Sequence, residues 1–163
     1  FEDKDNLYVS HRGTVLKDFD DVSADLAILQ GMEQHSTHFK KLEKSFLNDV
    51  VPYARVNNKE INLTGHSLGG TVNKYIYMRN PEHINKVYNF NPGSSPAHVL
   101  QKLNQPPVFD EESESFRNDK NIKNYYIDND LISMSGHFGD YGEKHILQPL
   151  NGSINRHSID QFK

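Results

Sequence analysis

The serine within "GHSLGG" (residues 65–70) is the residue of this sequence best suited to nucleophilic chemistry. The spacing Gly65-x-Ser67-x-Gly69 predicts a tight turn from a strand into a helix, because larger side chains beside the serine would collide there. Such a turn holds the Ser67 hydroxyl clear of the sheet, at the positive end of the helix. A plain glycine-rich turn is the alternative, but the strand and helix patterns on either side favour a nucleophile.

A serine hydroxyl reacts readily only beside a base, usually a histidine that is oriented by a carboxylate. Downstream, the sequence offers Asp128 and Asp130 in "NYYIDND", and later His157 in "NRHSIDQF". The two aspartates cannot both face one histidine. Asp130 is favoured because it stands past the predicted strand, where a loop can aim its side chain. The sequence therefore predicts a triad of Ser67, Asp130 and His157.

Short apolar runs alternate with helical patterns along the chain. Strands are predicted in "NLYV", "EINLTG", "NKVYNF", "NYYID" and "EKHILQPL". Helices are predicted from Ser36 until Pro52 and "NNKE" break the pattern, from Leu68 to Asn80, and from Ser158 onward. This alternation predicts one α/β domain over 1–163 with a mainly parallel sheet, and a polar excursion around 94–120. In such sheets, functional groups gather at the carboxyl ends of the strands.

Composition excludes several classes of function. The net charge is −4 and no basic cluster occurs, so nucleic acid is not an expected partner. No apolar run approaches the ~18 residues of a membrane span. The chain has no cysteine, which excludes disulfides, thiolate metal sites and cysteine nucleophiles and is compatible with the cytoplasm. Only 35% of the residues are hydrophobic, which indicates a modest core with polar loops, or part of a larger protein or assembly.

Four patches of the sequence resemble the class 3 lipases, the fungal-type triacylglycerol lipase family of α/β-hydrolases: "SHRGT" (10–14), "TGHSLGG" (64–70), "NDLI" (129–132) and "RHSIDQF" (156–162). The resemblance implies an α/β-hydrolase-type sheet flanked by helices, with Ser67 as nucleophile and His157 as general base. It implies that Asp130 orients the histidine. It also implies that the amides of Thr14 and Leu68 form an oxyanion hole.

Three features depart from that family. Its domains carry strands before the "RGT" strand, whereas this chain has few residues there, so the resemblance predicts an N-terminally truncated sheet or a piece of a longer protein. Ser133 follows "DLI" where the family usually has proline. No convincing amphipathic lid helix is present, so ester hydrolysis is a firmer prediction than long-chain lipase behaviour.

The predicted function is hydrolysis of carboxylic esters, with lipid acyl esters as the expected substrates and no cofactor. Such substrates imply contact with a membrane surface. Two alternatives remain open at the level of sequence. The chain could be a non-catalytic scaffold or assembly component that retains the fold, or an acyltransferase that uses the same triad.

Two other histidines near the predicted nucleophile, His66 and His11, are predicted to have supporting roles. His66 lies inside the turn and cannot fold back to serve Ser67, so a structural role is predicted. His11 precedes Arg12 and is expected to pack beside the site. His137, Asp140 and His145 match no ligand spacing, so no metal site is predicted.

Overall fold

Five strands form a single, all-parallel sheet in the computed structural model of this protein. The structure describes residues 1–12, 40–92, 118–130, 141–150 and 158–162. The strands lie in the sheet in chain order: β1 (Asn6–His11), β2 (Glu60–His66), β3 (Lys86–Phe90), β4 (Ile122–Ile127) and β5 (Glu143–Leu147). The prediction of an α/β fold with a parallel sheet is confirmed.

Helices connect the strands, as parallel pairing requires. Between β1 and β2, helical residues 40–45 continue through a π-helical turn (Phe46–Val50) into helix α1 (Val51–Val56). Helix α2 (Leu68–Arg79) links β2 to β3 and packs against β1, β2 and β3. The helix predicted after Ser158 is a single 3-10 turn, Ile159–Phe162. In the parts of the chain that the structure describes, no helix has the length and apolarity needed to cross a bilayer.

The first helix passes through Pro52 and ends at Val56, directly before "NNKE". A break at Pro52 is therefore wrong, and the break falls at the polar residues. Proline lacks an N–H and its ring crowds the preceding turn. Here the preceding turn is widened, since the Val51 amide bonds to the Phe46 carbonyl five residues back. The π-helical turn thus takes up the irregularity that proline introduces.

One face of the sheet packs against α2 and forms the core. Val9, Leu63, Val87 and Ile122 lie opposite one another on four adjacent strands. Further buried members of the core are Phe46, Ala54, Ile61, Val72, Ile76, Tyr77 and Ile84. Full burial of each large aliphatic side chain contributes about 1.5–3 kcal/mol. This layer fixes α2, and with it the turn that precedes α2, against the sheet.

The opposite face carries a line of aromatic rings near the carboxyl ends of the strands. Phe90, Tyr125 and His145 are register partners on β3, β4 and β5. Their ring centroids are 5.5 Å and 4.9 Å apart. Phe162 packs edge-on against Phe90 at 5.0 Å. The C-terminal 3-10 turn is therefore docked on β3, the neighbour of β2, and β2 ends directly before Ser67.

A buried carboxylate ties the first helical segment to the end of α2. Glu43 accepts hydrogen bonds from Arg79 Nε at 2.7 Å and Asn80 Nδ2 at 3.0 Å. Tyr75 donates to its second oxygen at 3.4 Å. Burial alone raises the pKa of Glu43, but the hydrogen bonds from Arg79 and Asn80 outweigh burial and hold it below the ordinary value of 4.5.

The lowered pKa of Glu43 predicts an acid-dependent loss of stability. A carboxylate of this kind contributes stability that is fully present above the unfolded-state pKa and is lost as the pH falls through the folded-state value. We expect Glu43→Gln to lower the free energy of unfolding at pH 7 by on the order of 1 kcal/mol, since Arg79 is partly screened by solvent. The difference from wild type should shrink towards pH 3.

Urea unfolding of both proteins at several pH values measures this effect. Glu82→Gln is the matched control, since the Glu82 side chain is 64% exposed. An unfolding free energy for Glu43→Gln that stays parallel to wild type from pH 7 to pH 3 would contradict the assigned role.

Candidate active site

Ser67 occupies a strained turn between β2 and α2. Its φ of 55° and ψ of −125° lie in a region that only glycine adopts without cost. Hydrogen bonds hold the turn on both sides: the Ser67 amide donates to Phe90 O at 3.1 Å, and the Gly70 amide donates to Ser67 O at 3.0 Å. The strain is therefore maintained by β3 and by the first turn of the helix.

Two glycines permit the close approach of strand and helix at this turn. A Cβ on Gly65 would lie 2.5 Å from the backbone carbon of Gly69. A Cβ on Gly69 would overlap the carbonyl oxygen of His11 at the end of β1. No side chain fits at either position, so the spacing of the motif is explained by contacts among β1, β2 and α2.

A serine that precedes a helix often serves only as an N-cap, so a capping role must be distinguished from a nucleophilic one. A capping serine has extended backbone angles and its oxygen accepts a bond from an amide in the first turn. Ser67 has neither feature: its φ is positive, and its hydroxyl makes no capping bond to α2. The side chain is half-buried, and Leu68 begins the helix behind it. The hydroxyl therefore stands at the positive end of α2 without serving it as a cap.

Of the two candidate acids, Asp130 is the buried one. Asp130 is 3% exposed, whereas Asp128 is half-buried. A turn through Asn129, with φ of 60°, carries the chain past β4, and the Asp130 amide bonds back to Ile127 O at 3.2 Å. A buried carboxylate is stable only when donors or a cation face it. The burial of Asp130 thus requires a hydrogen-bond or ionic partner for its carboxylate.

Ser67 and Asp130 lie at the same edge of the sheet. Ser67 follows β2 and Asp130 follows β4, and all strands run in parallel, so both residues stand at carboxyl ends. One strand, β3, separates β2 from β4, which sets the strand axes roughly 10 Å apart. An imidazole with one hydrogen bond at each nitrogen bridges a gap of this order between a hydroxyl and a carboxylate.

His157 and Thr14 lie outside the described residues, as do His137 and Asp140 of the group considered for metal binding. The residue after His157 is described: Ser158 leads into the 3-10 turn, and its hydroxyl accepts from the Asp160 amide at 3.2 Å. Phe162 of that turn packs on Phe90. Phe90 is also the residue whose carbonyl accepts from the Ser67 amide, so this turn is anchored beside the strand that braces the serine.

Three asparagines form a continuous line of side-chain hydrogen bonds beside this turn, and we call Asn73, Asn89 and Asn124 the asparagine row. All three are fully buried. Asn89 and Asn124 share a register row with Gly65. Gly65 has no side chain, and Asn73 of α2 fills that space, with its amide nitrogen 2.7 Å from where a Gly65 Cβ would lie.

The direction of these hydrogen bonds is fixed at one end of the row. The Tyr141 carbonyl can only accept, so Asn124 turns its Nδ2 towards it at 2.6 Å. Asn124 Oδ1 then accepts from Asn89 Nδ2 at 3.0 Å, and Asn89 Oδ1 accepts from Asn73 Nδ2 at 3.1 Å. Asn73 Oδ1 faces His11 Nδ1 at 2.6 Å. An amide oxygen cannot donate, so His11 Nδ1 carries the proton.

The sequence did not single out the asparagine row. Asn89 and Asn124, each two residues after a buried apolar residue of its strand, were a signal, but their alignment depends on strand register. His66 lies on β2 on the face opposite Gly65, as strand alternation requires. Among the described residues, no group of three or more histidine, aspartate or glutamate side chains could hold a metal ion.

The described residues also line a cavity of about 320 Å³ at the other end of the sheet, with Ile61, Ile84 and Asn85 in its wall. It lies at the amino ends of β2 and β3, away from Ser67. Ligands of open parallel sheets bind at the carboxyl ends, so this cavity is not the candidate site.

Comparison with known proteins adds no functional label. The sequence matches no family model and no curated protein. The functional reading therefore rests on the geometry around Ser67 and on the sequence patches that resemble class 3 lipases.

The strain at Ser67 predicts an unusual ranking of two variants. Glycine adopts positive φ without the ~1–3 kcal/mol penalty of other residues, and this gain exceeds the ~0.5–1 kcal/mol by which glycine favours the unfolded chain. We therefore expect Ser67→Gly to have a higher free energy of unfolding than Ser67→Ala. Urea unfolding of both variants tests this. Equal stability, or greater stability of Ser67→Ala, would mean that the turn is relaxed.

Proposed function

We propose that this protein is a serine hydrolase of the α/β-hydrolase type that cleaves carboxylic esters, with lipid acyl esters as its substrates. The observation that carries the proposal is the backbone of Ser67, a strained and non-capping serine at the carboxyl end of a central parallel strand. The resemblance of four sequence patches to class 3 lipases supports the same reading.

The buried acid supports the proposal independently of the serine. Asp130 stands past β4 at the same edge of the sheet, separated from Ser67 by the width of one strand. His157, which lies outside the described residues, is the proposed base. The C-terminal turn that begins one residue later is anchored on Phe90, which also braces the Ser67 amide.

In the proposed reaction, Ser67 Oγ attacks the ester carbonyl carbon while His157 takes the hydroxyl proton. The resulting oxyanion accepts hydrogen bonds from the Leu68 and Thr14 amides. The intermediate collapses, the C–O bond to the alcohol breaks, and His157 returns its proton to the departing oxygen. Water, deprotonated by the same histidine, then attacks the acyl-enzyme, and the carboxylic acid leaves as Ser67 regains its proton.

The direct test is labelling with a fluorophosphonate probe together with hydrolysis of a short p-nitrophenyl ester. Wild-type protein should react with the probe and hydrolyse the ester, and Ser67→Ala should do neither. Mass spectrometry should find the phosphonate on the peptide that contains Ser67.

A folded wild-type protein that is neither labelled nor active would overturn the proposal in favour of a scaffold that retains the fold. An alcohol added to the active protein distinguishes the remaining alternative. Ester product in place of free acid would indicate an acyltransferase.

A matched pair of variants tests the assignment of Asp130, rather than Asp128, as the acid of the triad. Asp130→Asn should lower kcat by up to roughly 10⁴-fold, because the amide no longer holds the imidazole in the tautomer that accepts the serine proton. Asp128→Asn, two residues away and half-buried, should leave kcat within about threefold of wild type. Steady-state kinetics of the folded variants measure both. A large loss in Asp128→Asn with Asp130→Asn unaffected would reverse the assignment.

A further inference from the structure

We propose, resting on the hydrolase function above, that His11 is a positioning residue. Its Nδ1–H bond to Asn73 holds the end of β1 against the helix that carries the Ser67 turn. The role requires a hydrogen-bond donor at this point and does not require an acid or a base. His11 thus serves the reaction through Asn73 without contact with the substrate.

Two contacts join the end of β1 to the first part of α2. The carbonyl of His11 lies so close to Gly69 that no methyl group fits between them. The ring of His11 bonds to Asn73, four residues further along the helix. Residues at this spacing lie on one face of a helix. His11 at the end of β1 therefore contacts one face of α2 over a full turn, starting two residues after Ser67.

The asparagine row fixes which partner donates in the hydrogen bond between His11 and Asn73. Asn73 Nδ2 is turned towards Asn89, so it is Asn73 Oδ1, an acceptor, that faces His11 on β1. A residue at position 11 bonds there only if it offers a proton at the place of Nδ1. The row itself is anchored by the Tyr141 carbonyl beside β5. The orientation of the His11 ring is therefore set by a chain of bonds that crosses β3 and β4.

This attachment matters for rate more than for binding. The carbonyl of His11 lies against Gly69, two residues after Ser67. A shift of β1 relative to α2 therefore disturbs the turn that holds the Ser67 hydroxyl. Interactions that form fully only in the transition state are the ones such a shift weakens, and misplacement by about 1 Å lowers turnover by roughly 10²-fold. Loss of the bond should therefore lower kcat and change KM little.

Two substitutions test whether position 11 requires a hydrogen-bond donor or the imidazole ring itself. His11→Asn places Nδ2 the same number of bonds from Cα as histidine Nδ1 and so keeps the donor. His11→Leu has a similar shape and no donor. We expect kcat of His11→Asn to lie within about threefold of wild type, and kcat of His11→Leu to fall roughly 10²-fold at nearly constant KM. Circular dichroism measures the folded fraction, to which kcat is normalised.

Three kinetic outcomes would overturn the proposal. Equal activity of both variants would mean that the bond does not position the site. Equal loss in both would mean that the imidazole itself is required. If the lower kcat of His11→Leu returns to the wild-type value on normalisation to the folded fraction, His11 contributes only to stability.

Nitrogen-15 NMR of the wild-type imidazole tests the geometry without any substrate. At a pH where the ring is neutral, His11 Nδ1 should carry the proton, and an unprotonated Nδ1 would overturn the assigned hydrogen bond. A wild-type protein with protonated Nδ1 but no esterase activity would overturn the positioning role through failure of the proposed function. The two failures are therefore distinguishable.

Discussion

The close contact between β2 and α2 at Ser67 is the constraint on which the rest of the site depends. Neither Gly65 nor Gly69 has room for a methyl group, and the serine between them is held at a positive φ. A strained residue persists only where its neighbours over-determine it. Here β1 closes one side through the His11 carbonyl, and β3 closes the other through the Phe90 carbonyl. The turn is thus a property of three adjacent strands and a helix together.

Along the sheet, apolar packing gives way to polar packing just before this turn. The register row formed by Val9, Leu63, Val87 and Ile122 is apolar. The next row on the same face holds His11, Gly65, Asn89 and Asn124, and Asn73 of α2 packs over Gly65. Apolar contacts are non-directional and tolerate small shifts, whereas a line of buried amides is satisfied in one register only. An unpaired buried amide costs about 1–3 kcal/mol, so a slip of one strand is penalised at several bonds. The change in packing places the most directional interactions next to the candidate nucleophile.

Much of the fold was predictable from sequence because its signals are local. Alternating apolar residues marked the strands, and the spacing of Leu68, Val72 and Ile76 marked α2. The predicted helix break at Pro52 was wrong, because the widened turn before it depends on a hydrogen bond between Val51 and Phe46 that no local sequence pattern reveals. At the site, Ser67 was visible because glycine spacing encodes a tight turn. The asparagine row was not, since its members come from α2, β3 and β4 and meet only once the register is set.

The backbone of Ser67 also bears on why a scaffold role is the weaker alternative. A chain that needs only the shape of this turn would be more stable with glycine at position 67, since glycine adopts a positive φ without strain. A chain that needs only a helix cap would use a serine with an extended backbone and a hydroxyl bonded to the first turn of the helix, and Ser67 has neither feature. The strained serine is therefore costly under both structural readings. The proposed nucleophilic role gives a reason for a serine hydroxyl at this strained position, which neither structural role does.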